Sequence, residues 1–402
     1  MSIFIAILGL ALLILVHEAG HFFGSLAVGL RPRKFYVGFP PALLKWQRNG
    51  IEYGFGAIPL GGFVTIPGMH RPIPHDADRR FAHAAEEAPG LVGPIDRVKR
   101  TLEASELVAG LAALDDLEHA LREKKLSPRA RASAEKGLTE LRDALGPQAY
   151  WKAPTWKRLV AIMAGPGANI VLTVVLFAIL FTTVGGKPSQ TIASVAADSP
   201  AEEAGLLAGD KVIAVDGDRV SGEGLGERIL GSEGRPLVLT VIRDGDEVKV
   251  GPLTPTEIDG VYRIGIVREG VGLPPVDASW RAVEVTGIVT KEIVLSIGRL
   301  VTGQGREDVA SPIGITRVSS DAVEEGAANY LWVLGLISLS IGLMNLLPLL
   351  PLDGGHVLFA VLEGARGRVL RREVYERASA VGIAVVVLLF VIGLTNDIGR
   401  LS

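Results

Sequence analysis

The sequence predicts a polytopic α-helical membrane protein with about four transmembrane helices, a membrane-associated β-hairpin and an inserted α+β domain. Three observations lead there. The 402 residues carry only 21% charged side chains at a mean hydropathy of +0.36, which leans towards a membrane protein with soluble parts. Long apolar runs lie at about 2–30, 156–184, 330–350 and 379–394, each near the length needed to cross roughly 30 Å of hydrocarbon. Between the second and third runs, alternating apolar residues and tight turns replace the helical pattern. The net charge of -3 and the lack of a basic stripe with interleaved aromatics argue against nucleic-acid binding. There are no cysteines, so disulfides are excluded and any metal must be held by nitrogen and oxygen ligands.

Residues 1–69 hold the first transmembrane helix and the hairpin. The helix carries His17-Glu18-Ala19-Gly20-His21 inside its apolar run. Histidines spaced i, i+4 share one helix face, where their imidazoles can hold one zinc ion, and Glu18 is the natural general base. Ionisable groups at membrane depth are costly, and three of them clustered by chance would lack partners. The run could be mistaken for a signal peptide, but it lacks a basic n-region and is expected to be retained. Gly20 and Gly24 share a face and would let another helix approach. Arg31, Arg33 and Lys34 suggest that the helix ends on the cytoplasmic side. In Ile51–Ile66, alternating Ile51, Tyr53 and Phe55 lead to a turn at Pro59-Leu60-Gly61-Gly62 and a strand from Phe63. Pattern alone fits equally a surface hairpin and one that dips into the bilayer.

Residues 70–151 form a charged, alanine-rich loop. Leucine stripes at 107–121 and 138–145, with a Ser127-Pro128 cap between them, predict a helical hairpin with no chemistry of its own. Residues 152–185 hold the second transmembrane helix, interrupted by Gly165-Pro166-Gly167-Ala168-Asn169. Asn169 fits either helix packing or hydrogen bonding to a substrate backbone. Residues 186–270 form the soluble β-rich domain, where a short helix at Ser199–Leu206 feeds strands joined by Asp-Gly turns. Residues 271–327 hold an amphipathic helix, Ala278 to Thr302, too charged to span, and a turn at Ser311–Gly314. Residues 328–402 hold the last two transmembrane helices. The third runs into Asn345-Leu346-Leu347-Pro348-Leu349-Leu350-Pro351-Leu352-Asp353-Gly354-Gly355-His356, whose prolines break it. Asp353 is the only acid in this apolar stretch and the best third zinc ligand; a plain Asp-Gly turn is the alternative. The basic loops after helix one and before helices two and four share a side, which places the β-rich domain outside the cytoplasm.

The β-rich run, with Ser199-Pro200-Ala201-Glu202-Glu203-Ala204-Gly205-Leu206 and Gly209-Asp210-Lys211, resembles a PDZ domain, and one copy is present. It would bind a peptide C-terminus by strand addition, or merely exclude by bulk. His-Glu-x-x-His, Gly-Pro-Gly-Ala-Asn and Asn-Leu-Leu-Pro…Leu-Asp-Gly-Gly-His follow one another along the chain. Together they resemble the site-2 protease family of intramembrane zinc metalloproteases, in the bacterial regulator-of-sigma-E protease branch. The resemblance covers nearly the whole chain except about 86–149. It implies that His17, His21 and Asp353 bind Zn2+ and that Glu18 is the base. It implies that Asn169, Asn345 and the hairpin residues Gly61, Gly62 and Phe63 position the substrate strand. It implies a bacterial inner-membrane protease with its site towards the cytoplasm. Its partners are the lipid bilayer and single-span substrates, such as pre-trimmed anti-sigma factors or remnant signal peptides. The alternatives are a non-catalytic membrane PDZ adaptor, which should have lost a ligand or the base, and a zinc transporter, which would need further polar residues on other helices.

Overall fold

The computed structural model describes residues 1–258 and 260–399, without the side chains of 58–60, 301 and 308; the end of the 328–402 segment therefore lies outside the described residues. The chain divides into two units, one of residues 1–171, 294–320 and 337 onward, the other of 172–293 and 321–336.

In the first unit, α1 (Ser2–Ala27) is the apolar helix that bears the two histidines. β1 (Lys34–Arg48) and β2 (Ile51–Thr65) then pair antiparallel around Asn49-Gly50, both at positive φ, as an Asn-Gly hairpin turn requires. The sequence pattern gave β1 no role and put the turn at Pro59–Gly62. The register explains the difference: Val37 is aligned with both Phe55 and Gly62, so β2 doubles back on itself after a first hairpin has formed. The expected turn is the second of two, and Gly61 takes it at a φ of 113°. Glu52 pins the sheet by accepting from Lys34 Nζ at 2.9 Å and from the Tyr36 hydroxyl at 2.7 Å.

The charged loop contains the expected helical hairpin and two further helices before it. It folds as four helices, α2 (Pro74–Glu87), α3 (Val92–Glu103), α4 (Leu107–Arg122) and α5 (Pro128–Leu145), around Phe81, Leu91, Val98, Leu114, Leu117 and Leu145. The two leucine stripes are α4 and α5, and Ser127 Oγ accepts from the Ala130 amide as the predicted cap. α2 and α3 are too polar for their short buried stripes, Ala77, Phe81, Ala84 and Ile95, Val98, Leu102, to stand out. Next comes α6 (Thr155–Thr183), with Pro166 inside it.

In the second unit lie β3 (Lys187–Val195), α7 (Pro200–Glu203), β4 (Lys211–Val215), β5 (Asp218–Arg219), α8 (Gly222–Leu230), β6 (Leu237–Arg243) and β7 (Asp246–Leu253). They are followed by β8 (Thr256–Ile258), β9 (Val261–Arg263) and β10 (Ile266–Val271). The main sheet is antiparallel in the order β10-β3-β4-β6-β7, with β5 on β4, and encloses Ile192, Val212, Leu225, Leu239 and Val241. Asp210, only 1% exposed, accepts from Arg243 Nε at 2.8 Å and Nη2 at 2.6 Å, and from the Leu207 amide at 2.9 Å. The Arg243 guanidinium holds the Asp210 carboxyl below the usual carboxylate range, with burial opposing it. A depressed folded pKa contributes stability above the unfolded value of about 4, lost as pH falls through the folded one. Asp210→Asn is therefore expected to lower the calorimetric unfolding temperature at pH 7 by roughly 5 °C. The deficit should begin to shrink as pH falls below about 4 and go on shrinking towards the folded value, and a deficit unchanged by acid would refute the assignment.

α9 (Pro275–Val301) buries small residues, Ala278, Ala282 and Thr286, and leaves Trp280, Val283 and Ile288 exposed. The expected turn at Ser311–Gly314 instead opens α10 (Pro312–Glu325). A carboxylate from far along the chain caps it: Asp397 Oδ2 accepts from the Ser311 amide at 2.9 Å and the Gly314 amide at 3.1 Å. α11 (Ala327–Asn345) follows, then α12 (Asp353–Arg366) and α13 (Arg372–Gly399). Among the described residues four helices, α1, α6, α11 and α13, are long and apolar enough to cross a membrane.

Candidate metal centre

On α1 the i, i+4 spacing brings His17 and His21 to one buried face, with their Nε2 atoms 3.2 Å apart. Asp353 Oδ2 lies 3.2 Å from each of them. Among the described residues this is the one group of three or more side chains placed to share a metal ion. His21 Nδ1 donates to the Ala161 carbonyl at 3.0 Å, so in the neutral ring its Nε2 presents a bare lone pair to the other two ligand atoms. Asp353 Oδ2 is buried without a hydrogen-bond partner. Lone pairs converging on one point in an apolar surrounding repel unless a cation joins them. Tetrahedral ligands at zinc's bond lengths stand about 3.3 Å apart, so the triangle fits zinc.

Asp353 gets there through packing that the sequence barely advertised. It opens α12, where an acid also complements the helix dipole, rather than ending a helix in an Asp-Gly turn. The two glycines after it are needed for close approach. A Cβ on Gly354 would stand 2.2 Å from the Leu346 carbonyl oxygen, and one on Gly355 2.5 Å from the Leu350 amide nitrogen. On the opposite side, Gly20 and Gly24 seat α1 against α6, with added Cβ atoms 2.3 Å from the Ala164 carbonyl oxygen and 2.4 Å from Ala164 Cβ.

Glu18 points at the hairpin. A Cβ on Gly62 would lie 3.1 Å from Glu18 Cγ. Gly61 and Phe63 flank this contact, and the Phe63 ring stacks on Tyr36 at 5.0 Å between centroids. Asn169 is fully buried on α6, where its own carbonyl accepts from Ser338 Oγ at 2.9 Å. Asn345 is not drawn into a hydrogen bond with His17, His21 or Asp353; its Nδ2 donates to the Ile341 carbonyl one turn back at 3.0 Å.

Three contributors were not read from the sequence as site residues, although Gly165 stands in the Gly-Pro-Gly-Ala-Asn motif. The Ala161 carbonyl orients His21. Gly165 lies against the His21 ring, where an added Cβ would stand 2.3 Å from Nε2. The third is a buried pair, Arg158 on α6 and Glu363 on α12, 2.5 Å apart with side chains 7% and 4% exposed. Glu363 also accepts from the Leu370 amide at 2.8 Å and the Tyr375 hydroxyl at 3.3 Å. The pair ties the helix that begins with Asp353 to the helix that orients His21. Glu363→Ala would strand a buried arginine at a cost of about 3–5 kcal/mol. Zinc content of the purified variant should fall along with its unfolding temperature; wild-type values of both would show that the pair holds nothing.

A family profile described as peptidase family M50 matches residues 5–389. A relative from Agrobacterium fabrum, provisionally named a zinc metalloprotease, is 30% identical over 98% of this chain and 95% of its own. Zinc metalloprotease RasP of Geobacillus kaustophilus is 29% identical over 96% of this chain and 95% of its own. Regulator of sigma-W protease RasP of Bacillus subtilis is 27% identical over 97% of this chain and 96% of its own. With a profile covering nearly its whole length and four helices fit to cross a membrane, the chain belongs to peptidase family M50 and is a bacterial intramembrane zinc metalloendopeptidase.

Proposed function

We propose that His17, His21 and Asp353 hold the zinc, that Glu18 is the general base, and that the enzyme cuts peptide bonds within transmembrane segments of single-span proteins. The observation that carries this reading is the 3.2 Å triangle of ligand atoms beside a carboxylate. Zinc supplies Lewis-acid activation of water and of the scissile carbonyl. Glu18 takes the proton from the attacking water and returns it to the leaving amine.

A membrane helix hides its amides in its own hydrogen bonds, so the substrate must unwind locally before it is cut. The edge at Gly61, Gly62 and Phe63 offers the unwound strand a backbone partner, and the side-chain amides of Asn169 and Asn345 help to position it. Because Gly62 adjoins Glu18, a strand laid on this edge would pass beside the base. The basic residues at 31–34, 152–158 and 366–377 support an active site towards the cytoplasm. By the same rule residues 186–270, read as a single PDZ domain, lie outside, where they bind a peptide end or turn away substrates with bulky outer parts. Pre-trimmed anti-sigma factors are the leading substrate class, in line with the relative named regulator of sigma-W protease.

Metal removal tests the reading. The purified chain should carry one zinc. Chelation should abolish cleavage of a truncated single-span protein in liposomes, and added zinc should restore it. Asp353→Asn, which exchanges the anionic ligand for a neutral amide, should lose the metal and the activity together. If wild type takes up no zinc even after reconstitution, the chain is the adaptor and not the protease.

A further inference from the structure

A cavity of about 180 Å³ in the first unit is separate from the metal centre and is lined by Arg71, Trp151, Glu363, Arg371 and Arg372 among others. Its charges do not cancel. Glu363 is consumed by Arg158, the Leu370 amide and the Tyr375 hydroxyl. Arg372 is consumed by Asp76 at 2.5 Å and Glu376 at 3.0 Å. Arg71 and Arg371 make no ion pair among the described residues, and Arg71 is held over the Trp151 ring, 5.6 Å from its centroid.

The cavity's place in the chain says where its ligand comes from. Trp151 lies just before α6 and Arg371 just before α13, two helices fit to cross a membrane, so the cavity stands at the level where those helices leave the apolar layer. Lipid headgroups occupy that level, and a basic pocket there suits an anionic one. A tryptophan with a cation over its face is also an interfacial pairing. We propose that this cavity binds the phosphate headgroup of an anionic phospholipid, with Arg71 and Arg371 as its cationic ligands. The headgroup then ties the segment following β2 to the turn between α12 and α13. Since α12 begins with Asp353, occupancy bears on how firmly the third metal ligand is held.

The test compares wild type with Arg371→Gln and with the double variant Arg71→Gln/Arg371→Gln. Arg371 is exposed, so the single variant carries little folding risk. The full chain is purified in neutral detergent and mixed with phosphatidylglycerol, with phosphatidylcholine, or with phosphatidylcholine plus inorganic phosphate. Thermal unfolding and lipid retained in native mass spectra are read. Phosphatidylglycerol should raise the wild-type midpoint and remain bound, while phosphatidylcholine should do neither. Retention should fall about 30-fold in the double variant, the effect of two interfacial arginines, and by about the square root of that in the single variant. Equal retention by wild type and variants, or no preference for the anionic lipid, overturns the proposal. A shift reproduced by inorganic phosphate overturns the lipid source and leaves a free phosphate site.

Discussion

Glu18→Gln is expected to bind zinc as wild type does and to cut nothing measurable. The substitution keeps the side chain's length and its place beside Gly62, and it leaves His17, His21 and Asp353 untouched. What it removes is the ability to take a proton. A positioned general base contributes about 10²–10⁴-fold to such reactions, and cleavage should fall by at least that much. Zinc per chain, measured on the same preparation, separates this outcome from a collapsed site. Equal zinc with equal cleavage would show that another group takes the proton. Loss of zinc in the variant would make Glu18 a support of the ligands and not the base.

Gly165→Ala should damage the centre without touching any proposed ligand. Its Cβ would stand 2.3 Å from His21 Nε2, far inside contact distance. If α6 backed away instead, it would give up the close seating of Gly20 of α1 on the neighbouring Ala164 carbonyl. The His21 ring must turn, which breaks its 3.0 Å bond to the Ala161 carbonyl and spoils the lone-pair direction. Loss of such an orienting partner typically costs 10–100-fold in metal affinity, and cleavage should follow zinc down. Gly167→Ala, two residues away, is the control, since nothing lies within 4 Å of its added Cβ. It should keep both zinc and activity. Equal behaviour of the two variants would mean that helix propensity matters here and the contact with His21 does not.

Where a signal was local and periodic, it could be read directly. The four helices fit to span, among the described residues, follow from apolar runs, because an uninterrupted apolar helix of that length suits the lipid interior. His17 and His21 follow from the helical repeat, and Asp353 from being an acid where acids are expensive. The elements that escaped lack such a repeat. β1 contains Pro40-Pro41 and is defined by its pairing with β2. α10 begins because Asp397, 83 residues beyond Gly314, caps it. α2 and α3 bury stripes too thin to show against their charge.

The sequence by itself determined the membrane class, four helices fit to span, the residue types of the candidate zinc centre and the β-rich segment at 186–270. Each depends on spacing within a single element, and helix and strand geometry make that spacing rigid. Only the tertiary structure decided that Asp353 meets the two histidines at 3.2 Å, that the Ala161 carbonyl sets the His21 tautomer, and that Gly165 leaves the ring its room. It also decided that Arg158 and Glu363 satisfy each other out of water. These are contacts between helices more than a hundred residues apart. They are set by which small side chains allow close approach and which buried charges find a partner, and neither property is written in the local pattern of either helix.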